Sequence, residues 1–255
     1  MTSSPEAALN VRNLEVIFSD ASGVVHALRD LTFSLPPNGF VSLIGPSGSG
    51  KSTLLRVLAG LVSPTRGSFQ FNKESTRVGL VFQKANLMPW RRVIDNISLP
   101  LELKDIPRET VEKQALELIE LVGLKGFEHA YPRDLSGGMA QRVAIARSLM
   151  HDPDILLLDE PFGSLDALTR ERMGEELLHI WQLRRKTVLM VTHSISEAIY
   201  LSDRVLVLSP RPGQIDQKIT VDLPRPRKPE MRYSRAFIAL AQELRNSLRE
   251  DDVPT

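Results

Sequence analysis

Cysteine is absent from this 255-residue sequence, which excludes disulfides, thiolate nucleophiles and cysteine-ligated metals and fits a reducing compartment. The fold must therefore close on its core alone, and a chain of this length can, since about 70–75% of the unfolded surface is buried at such sizes. Long apolar runs are also missing. Those present, such as 155–158, fall far short of the roughly 18 residues needed to cross a bilayer, so a soluble chain is expected. The opening MTSSPEAALN has neither a basic start nor an apolar stretch and does not read as a secretory signal. Neither charge sign dominates: 32 Lys and Arg against 31 Asp and Glu leave +1, which provides no global field to steer nucleic acid, and no nucleic-acid partner is expected. Tandem repeats and long low-complexity linkers are likewise lacking.

What the chain does have is glycine at chemically meaningful spacing. Gly45-Pro46-Ser47-Gly48-Ser49-Gly50-Lys51-Ser52, followed by Thr53, fits G-x-x-x-x-G-K-[ST]. In that pattern backbone N–H groups surround phosphate oxygens, Lys51 offsets the β- and γ-phosphate charge, and the Ser52 hydroxyl serves Mg²⁺. A β-branched run precedes the loop at 40–44. A helical pattern follows it, with Leu54, Leu55 and Leu58 on one face and Gly60 as the stop, so the positive helix end also faces the anion.

Similar short apolar runs at 78–82, 155–158, 187–192 and 204–209 read as buried strands of a mostly parallel sheet. Segments 11–18 and 31–35, joined through Gly23, read as an antiparallel flap. Between 87 and 149 the strand signal gives way to helical periodicity, clearest at 108–121, where Val111, Ala115, Leu118 and Ile119 share a face. The predicted fold class is α/β: a P-loop nucleotide-binding core with a mostly parallel sheet, an antiparallel β flap and an inserted α-helical lobe. As a single domain over 1–255 it divides into a core at about 1–86 and 150–212, a lobe at about 87–149 and a tail at about 213–255. In the tail, Arg225, Arg227 and Lys228 among prolines read as a solvated connector, ahead of a last helix from 231 to 248.

Asp159 closes the run 155–158 and so falls at the carboxyl end of a buried strand, where ligands of open α/β sheets bind. Glu160 follows it. Leu135-Ser136-Gly137-Gly138-Met139 opens a helix running to Met150, which brings a hydroxyl, backbone amides and a helix dipole together on an anion.

With the phosphate loop upstream and Asp159-Glu160 downstream, this Ser-Gly-Gly stretch resembles the signature of ATP-binding cassette (ABC) transporter ATPases, over nearly the whole chain. The resemblance implies ATP and Mg²⁺ as cofactors. It assigns Glu160 to polarising the attacking water, His193 at the end of run 187–192 to the γ-phosphate, and Lys51 to the same catalytic group. Asp159 holds magnesium through water, and Gln83, after run 78–82, touches the metal or the water at the hinge into the lobe. Ser136, Gly137 and Gly138 contact ATP held by a second, head-to-tail ATPase subunit, expected to form a homodimer. Asp166, in Ser164-Leu165-Asp166, links the two sites. Phe18 either stacks on adenine or fills the core, and Met139 stands where most of the family carries glutamine.

Leu87-Met88-Pro89-Trp90, Asp95-Asn96, the stretch from Pro161 to Arg170 and Leu208-Ser209-Pro210-Arg211-Pro212-Gly213 resemble the nitrate, sulfonate and taurine importer branch. The segment 71–77 is shorter than that branch leads one to expect. The implied function is ATP hydrolysis driving uptake of a small solute, with transmembrane permease subunits and an extracytoplasmic solute-binding protein as partners. The implied location is the cytoplasmic face of the membrane. The alternatives are the ATPase of an exporter and a non-transport switch protein. Trp90 either docks on the permease or packs inside the lobe.

Overall fold

The computed structural model describes residues 7–20, 23–104 and 106–250. Residues 1–6 of the opening segment and 251–255 of the tail, included in the readings above, lie outside the described residues.

Alternating and β-branched residues build β1 (Leu9–Asp20) and β2 (Gly23–Leu35), and a fully buried β3 (Phe40–Ile44) precedes helix α1 (Lys51–Leu58). Then come β4 (Arg66–Phe71), β5 (Val78–Val81) and helices α2 (Val93–Glu102), α3 (Arg108–Leu121) and α4 (Gly137–Leu149). Strand and helix alternate afterwards: β6 (Ile155–Asp159), α5 (Ala167–Arg184), β7 (Thr187–Val191), α6 (Ile195–Leu201) and β8 (Arg204–Leu208). The chain closes with β9 (Ile215–Thr220) and α7 (Arg235–Glu250). This is the expected mixed α/β architecture. The chain forms two compact units, one from residues up to 76 together with those from 187 onward, the other from 77–186.

In the first unit β1 pairs antiparallel with β2 on one side and β4 on the other. A second group runs β7-β3-β8-β9, parallel except for β9. Phe40 aligns with Val188 and Val41 with Arg204. Every residue of β3 and β7 is buried, as expected of strands covered on both faces. Burial of Phe40, Val41, Leu43 and Ile44 contributes roughly 1.5–3 kcal/mol per side chain against exposure. The buried face of α1, Leu54, Leu55, Val57 and Leu58, is the one its periodicity indicates.

In the second unit β5 and β6 pair in parallel, Val78 with Ile155 through Val81 with Leu158. Gly79 lets α4 approach: a Cβ there would stand 2.9 Å from the Ser148 carbonyl oxygen. Helix α3 buries Val111, Ala115, Leu118 and Ile119. Helix α5 ends at Arg185, which adopts left-handed φ and ψ of 49° and 50°, while the Trp181 indole donates to the Lys186 carbonyl at 2.8 Å.

Several elements depart from the sequence reading. Strands β4 and β9 carry too few apolar residues in series to stand out, and helix α2, apolar enough and inside the expected helical lobe, is masked by its internal Pro100. The final helix starts at Arg235, after a 3-10 turn at Pro229–Tyr233. The basic tail segment is not a solvated connector. Arg227 is buried and donates to the Ile199 and Ser202 carbonyls at 2.8 and 3.1 Å; Arg225 donates to Leu201 O and Asp203 Oδ1, both at 2.7 Å. Both arginines thus serve the carbonyls that α6 leaves unpaired at its C-terminus. Burial, and then the neighbouring Arg225, push the Arg227 guanidinium down to about 10.

Candidate functional site

The phosphate loop lies between β3 and α1 in the first unit. Its glycines answer to geometry: Gly48 and Gly50 take φ of 78° and 93°, the left-handed region that L side chains avoid. At Gly45 a Cβ would come within 2.5 Å of the Leu208 carbonyl oxygen. The Lys51 ammonium is buried and donates to the carbonyls of Gly45 and Pro46, at 2.9 and 2.6 Å, and to Ser49 Oγ at 3.2 Å. It is therefore held over its own loop, where phosphate oxygens would replace these acceptors. Ser47 and Gly48 are exposed, Ser49 is buried, and Ser52 and Thr53 lie half-buried in the first turn of α1.

The same unit places His193 between β7 and α6. Thr192 Oγ1 donates to Glu197 Oε2 at 2.6 Å and accepts from Ser194 N at 3.0 Å, and Ser194 caps α6 by accepting from Glu197 N. This braced turn leaves His193 exposed. Phe18, on β1, is 44% exposed, which removes the core-residue alternative.

In the second unit Asp159 is the buried last residue of β6. Glu160 then turns to a φ of 44°. Its carboxylate accepts from Gln83 Nε2 at 3.1 Å, so the sequence-predicted glutamine and carboxylate are together. Gly163 makes room for the pair: a Cβ there would lie 3.3 Å from Glu160 Oε2 and 3.6 Å from Gln83 Nε2.

Ser136 is the N-cap of α4, accepting from Met139 N at 3.3 Å, and Asp166 is the N-cap of α5, accepting from Thr169 N at 3.0 Å. Hydrogen bonds from the Thr169 side chain and backbone hold the Asp166 carboxyl below its usual range. The two caps are neighbours, since a Cβ on Gly138 would stand 3.3 Å from Thr169 Cγ2. Ser136 and Gly137 are exposed, leaving hydroxyl and amides open to an anion.

Two residues given no role by the sequence reading join parts of the second unit. Gln141 Nε2 donates to the Phe82 carbonyl at 3.2 Å, and Arg147 donates to the Asn86 and Ala85 carbonyls at 2.9 and 2.7 Å. Both lie on α4, so the helix opened by Ser136 grips the chain on either side of Gln83. Burial lowers the Arg147 guanidinium from its ordinary value. The one available signal was a buried-face polar residue at helical spacing after Ser136-Gly137-Gly138. Trp90 is 73% exposed, so it does not pack inside the lobe. Among the described residues no group of three or more His, Asp or Glu side chains is arranged to hold a metal, and no helix is long and apolar enough to cross a membrane.

The sequence profile of the ABC transporter family matches residues 28–163. An uncharacterised ABC transporter ATP-binding protein of Methanocaldococcus jannaschii is 48% identical over 248 residues, covering 95% of this chain and 92% of its own. The taurine import ATP-binding protein TauB of Rhizobium johnstonii is 45% identical, covering 94% and 95%. The aliphatic sulfonates import ATP-binding protein SsuB of Bacillus cereus is 46% identical, covering 86% and 88%. Among solved structures, the dimeric ATP-binding cassette MJ0796 in a post-hydrolysis state with ADP and Pi superposes with a TM-score of 0.74 at 31% identity. That match covers 84% of this chain and 99% of the other.

Proposed function

Since the chain belongs to the ABC transporter family and is an ATP-hydrolysing cassette, we propose that it powers uptake of a small sulfonate-type solute through a membrane permease. The observation that carries this reading is near-full-length relatedness to ATPases named for import of aliphatic sulfonates and taurine. Nitrate and related small solutes stay within the proposal. The permease, a second copy of this ATPase and an extracytoplasmic solute-binding protein are its partners, and it works at the cytoplasmic face. The 1–86 and 150–212 core, 87–149 lobe and tail from 213 are the proposed division of labour.

Within this reading the amides of residues 45–53 and the Lys51 ammonium bind and orient the phosphates, and the exposed Phe18 stacks on adenine. Glu160 accepts the proton of the attacking water, with Gln83 fixing one carboxylate oxygen, and the exposed His193 donates to the γ-phosphate. The Ser52 hydroxyl, Gln83 amide oxygen and Asp159 carboxylate are hard oxygen donors that suit Mg²⁺. Too few to cage a cation, they fit an ion that keeps water and phosphate as ligands. When bound there, magnesium would supply positive charge against the charge developing on the transferred phosphoryl group. Ser136, Gly137, Gly138 and Asp166 reach the nucleotide of the opposing subunit, where Met139 supplies packing but no amide hydrogen bonds.

Uptake of labelled taurine and of a labelled alkanesulfonate in cells lacking this gene tests the proposal. Both rates should fall and return with the wild-type gene, but not with Lys51→Ala. Undiminished uptake of both solutes in the disrupted cells would exclude them as cargo.

A further inference from the structure

The segment between β8 and β9, residues 209–214, is a wall of the phosphate loop. Its ends are closed on themselves: Ser209 N donates to Gln214 O and Gln214 N to Ser209 Oγ, each at 3.0 Å. It is pinned to β2 on the far side, Gly213 N donating to Ala27 O at 3.1 Å and Gly213 O accepting from Arg29 N at 3.0 Å. Toward the phosphate loop it presents two contacts. A Cβ on Gly213 would stand 2.1 Å from the Ser49 carbonyl oxygen, so only glycine fits there. Arg211 Nε donates to the Gly48 carbonyl at 3.1 Å.

Gly48 is where the phosphate loop needs outside support. It is exposed, has a left-handed φ of 78°, and carries no side chain to brake rotation of the peptide that joins it to Ser49. In a planar trans peptide the carbonyl and the following N–H point opposite ways. A donor holding the Gly48 carbonyl therefore also sets the direction of the Ser49 N–H, one of the amides that line the loop. In this structure that N–H turns inward, to Pro46 O at 3.3 Å.

We propose that Arg211 is a positioning residue for nucleotide binding: it fixes the Gly48–Ser49 peptide so that the phosphate loop is ordered before a nucleotide arrives. The inference rests on the phosphate-loop reading above. A loop ordered in advance loses less entropy on binding, and the benefit goes to any nucleotide whose phosphates the loop holds. It is common to the di- and triphosphate and is spent on binding rather than on the chemical step.

The test is titration calorimetry of MgADP and of Mg²⁺ with a non-hydrolysable ATP analogue, alongside steady-state hydrolysis, on wild type, Arg211→Ala and Arg211→Lys. Arg211→Ala should weaken both nucleotides alike, by about threefold to tenfold, the scale of one hydrogen bond in an exposed place. KM for ATP should rise in step while kcat stays within about twofold, as for loss of uniform binding. Arg211→Lys keeps a cationic donor within reach of the Gly48 carbonyl and should recover most of the affinity. Unchanged affinity in Arg211→Ala would overturn the proposal. So would a loss confined to the triphosphate analogue, which means direct contact with the terminal phosphate, or a fall in kcat at constant KM. Should Arg211→Ala fail to fold, Arg211→Gln, a neutral donor, takes its place with the same outcomes. Wild-type protein that binds neither nucleotide would refute the phosphate-loop reading itself, whereas normal wild-type binding with no response at position 211 refutes only the role of Arg211.

Discussion

Replacing Glu160 by alanine and, separately, by glycine isolates the backbone at the end of β6. Both changes delete the carboxylate and the hydrogen bond from Gln83, so those losses cancel between the two proteins. What differs is the cost of a φ of 44°. A residue with a Cβ pays about 1–2 kcal/mol to sit in the left-handed region, and glycine pays almost nothing. Against this, glycine gives up about 0.5–1 kcal/mol more chain entropy on folding than alanine. The difference leaves Glu160→Gly more stable than Glu160→Ala by roughly 0.5–1 kcal/mol, the reverse of the order at an ordinary helix or strand position. For a chain of this size that is about 1–4 °C in Tm, and a matching displacement of the urea midpoint at constant slope. Both proteins should be inactive under the proposed role of Glu160, acceptance of the proton from the attacking water. If Glu160→Ala proves the more stable, residue 160 does not hold the left-handed conformation in solution, and the explanation of how the chain aims this carboxylate fails.

Glu160→Gln keeps shape and hydrogen bonding but not basicity; size-exclusion chromatography in MgATP should show a stable dimer with turnover reduced by at least about a hundredfold, as for loss of a general base. Ser136→Arg puts bulk and charge on an exposed helix cap, and neither that dimer nor normal hydrolysis should survive it. Trp90→Ala should leave melting temperature and basal hydrolysis of the isolated subunit unchanged, given its exposure, while permease co-purification and solute uptake fall. Arg185→Gly, at the left-handed end of α5, should raise stability by up to about 1 kcal/mol in urea unfolding. Asp152 has a carboxyl held below its usual 3.8, first by the hydrogen bond from Lys186, so its stabilisation is present above pH 3.8 and is lost as pH falls through the depressed value. Asp152 holds a φ of 50°, which asparagine also tolerates, so Asp152→Asn should lower neutral-pH stability modestly and flatten the acid limb of stability measured by denaturant unfolding.

The candidate site residues stood out in the sequence because phosphate binding demands unusual local chemistry. Glycines at 45, 48 and 50 next to Lys51, and an acidic pair behind a fully apolar strand, have few other uses. Strands buried on both faces announced themselves for a related reason, since nothing polar interrupts 155–158 or 188–191. The strands that escaped reading are half-solvated. Strand β9, with its Asp216, Gln217 and Lys218, alternates too weakly to separate from a loop, and α2 carries Pro100 inside it, which argues against a helix locally. Arg225 and Arg227 were misread because composition reports a charge, not what awaits it. The free carbonyls at the end of α6 are a tertiary fact, and they turn a solvated-looking cluster into buried caps. The contacts of Gln141 and Arg147 with the chain around Gln83 were hidden likewise, as each joins residues about 60 positions apart.

The order in which the chain leaves the ribosome matters for a unit assembled from both ends of a sequence. Strand β3, entirely apolar on its buried faces apart from Ser42, pairs with β7 and β8, and about 150 residues separate Phe40 from Val188. At roughly 5–20 residues per second, translation leaves that strand without its neighbours for about 10–30 s. The unit formed by 77–186 is contiguous and completes first, so the nascent protein passes through a stage with one finished unit and one adhesive, unpaired strand already outside the tunnel. Slow synthesis should lengthen that stage, and the fraction of the polypeptide captured by holdase chaperones should rise with it.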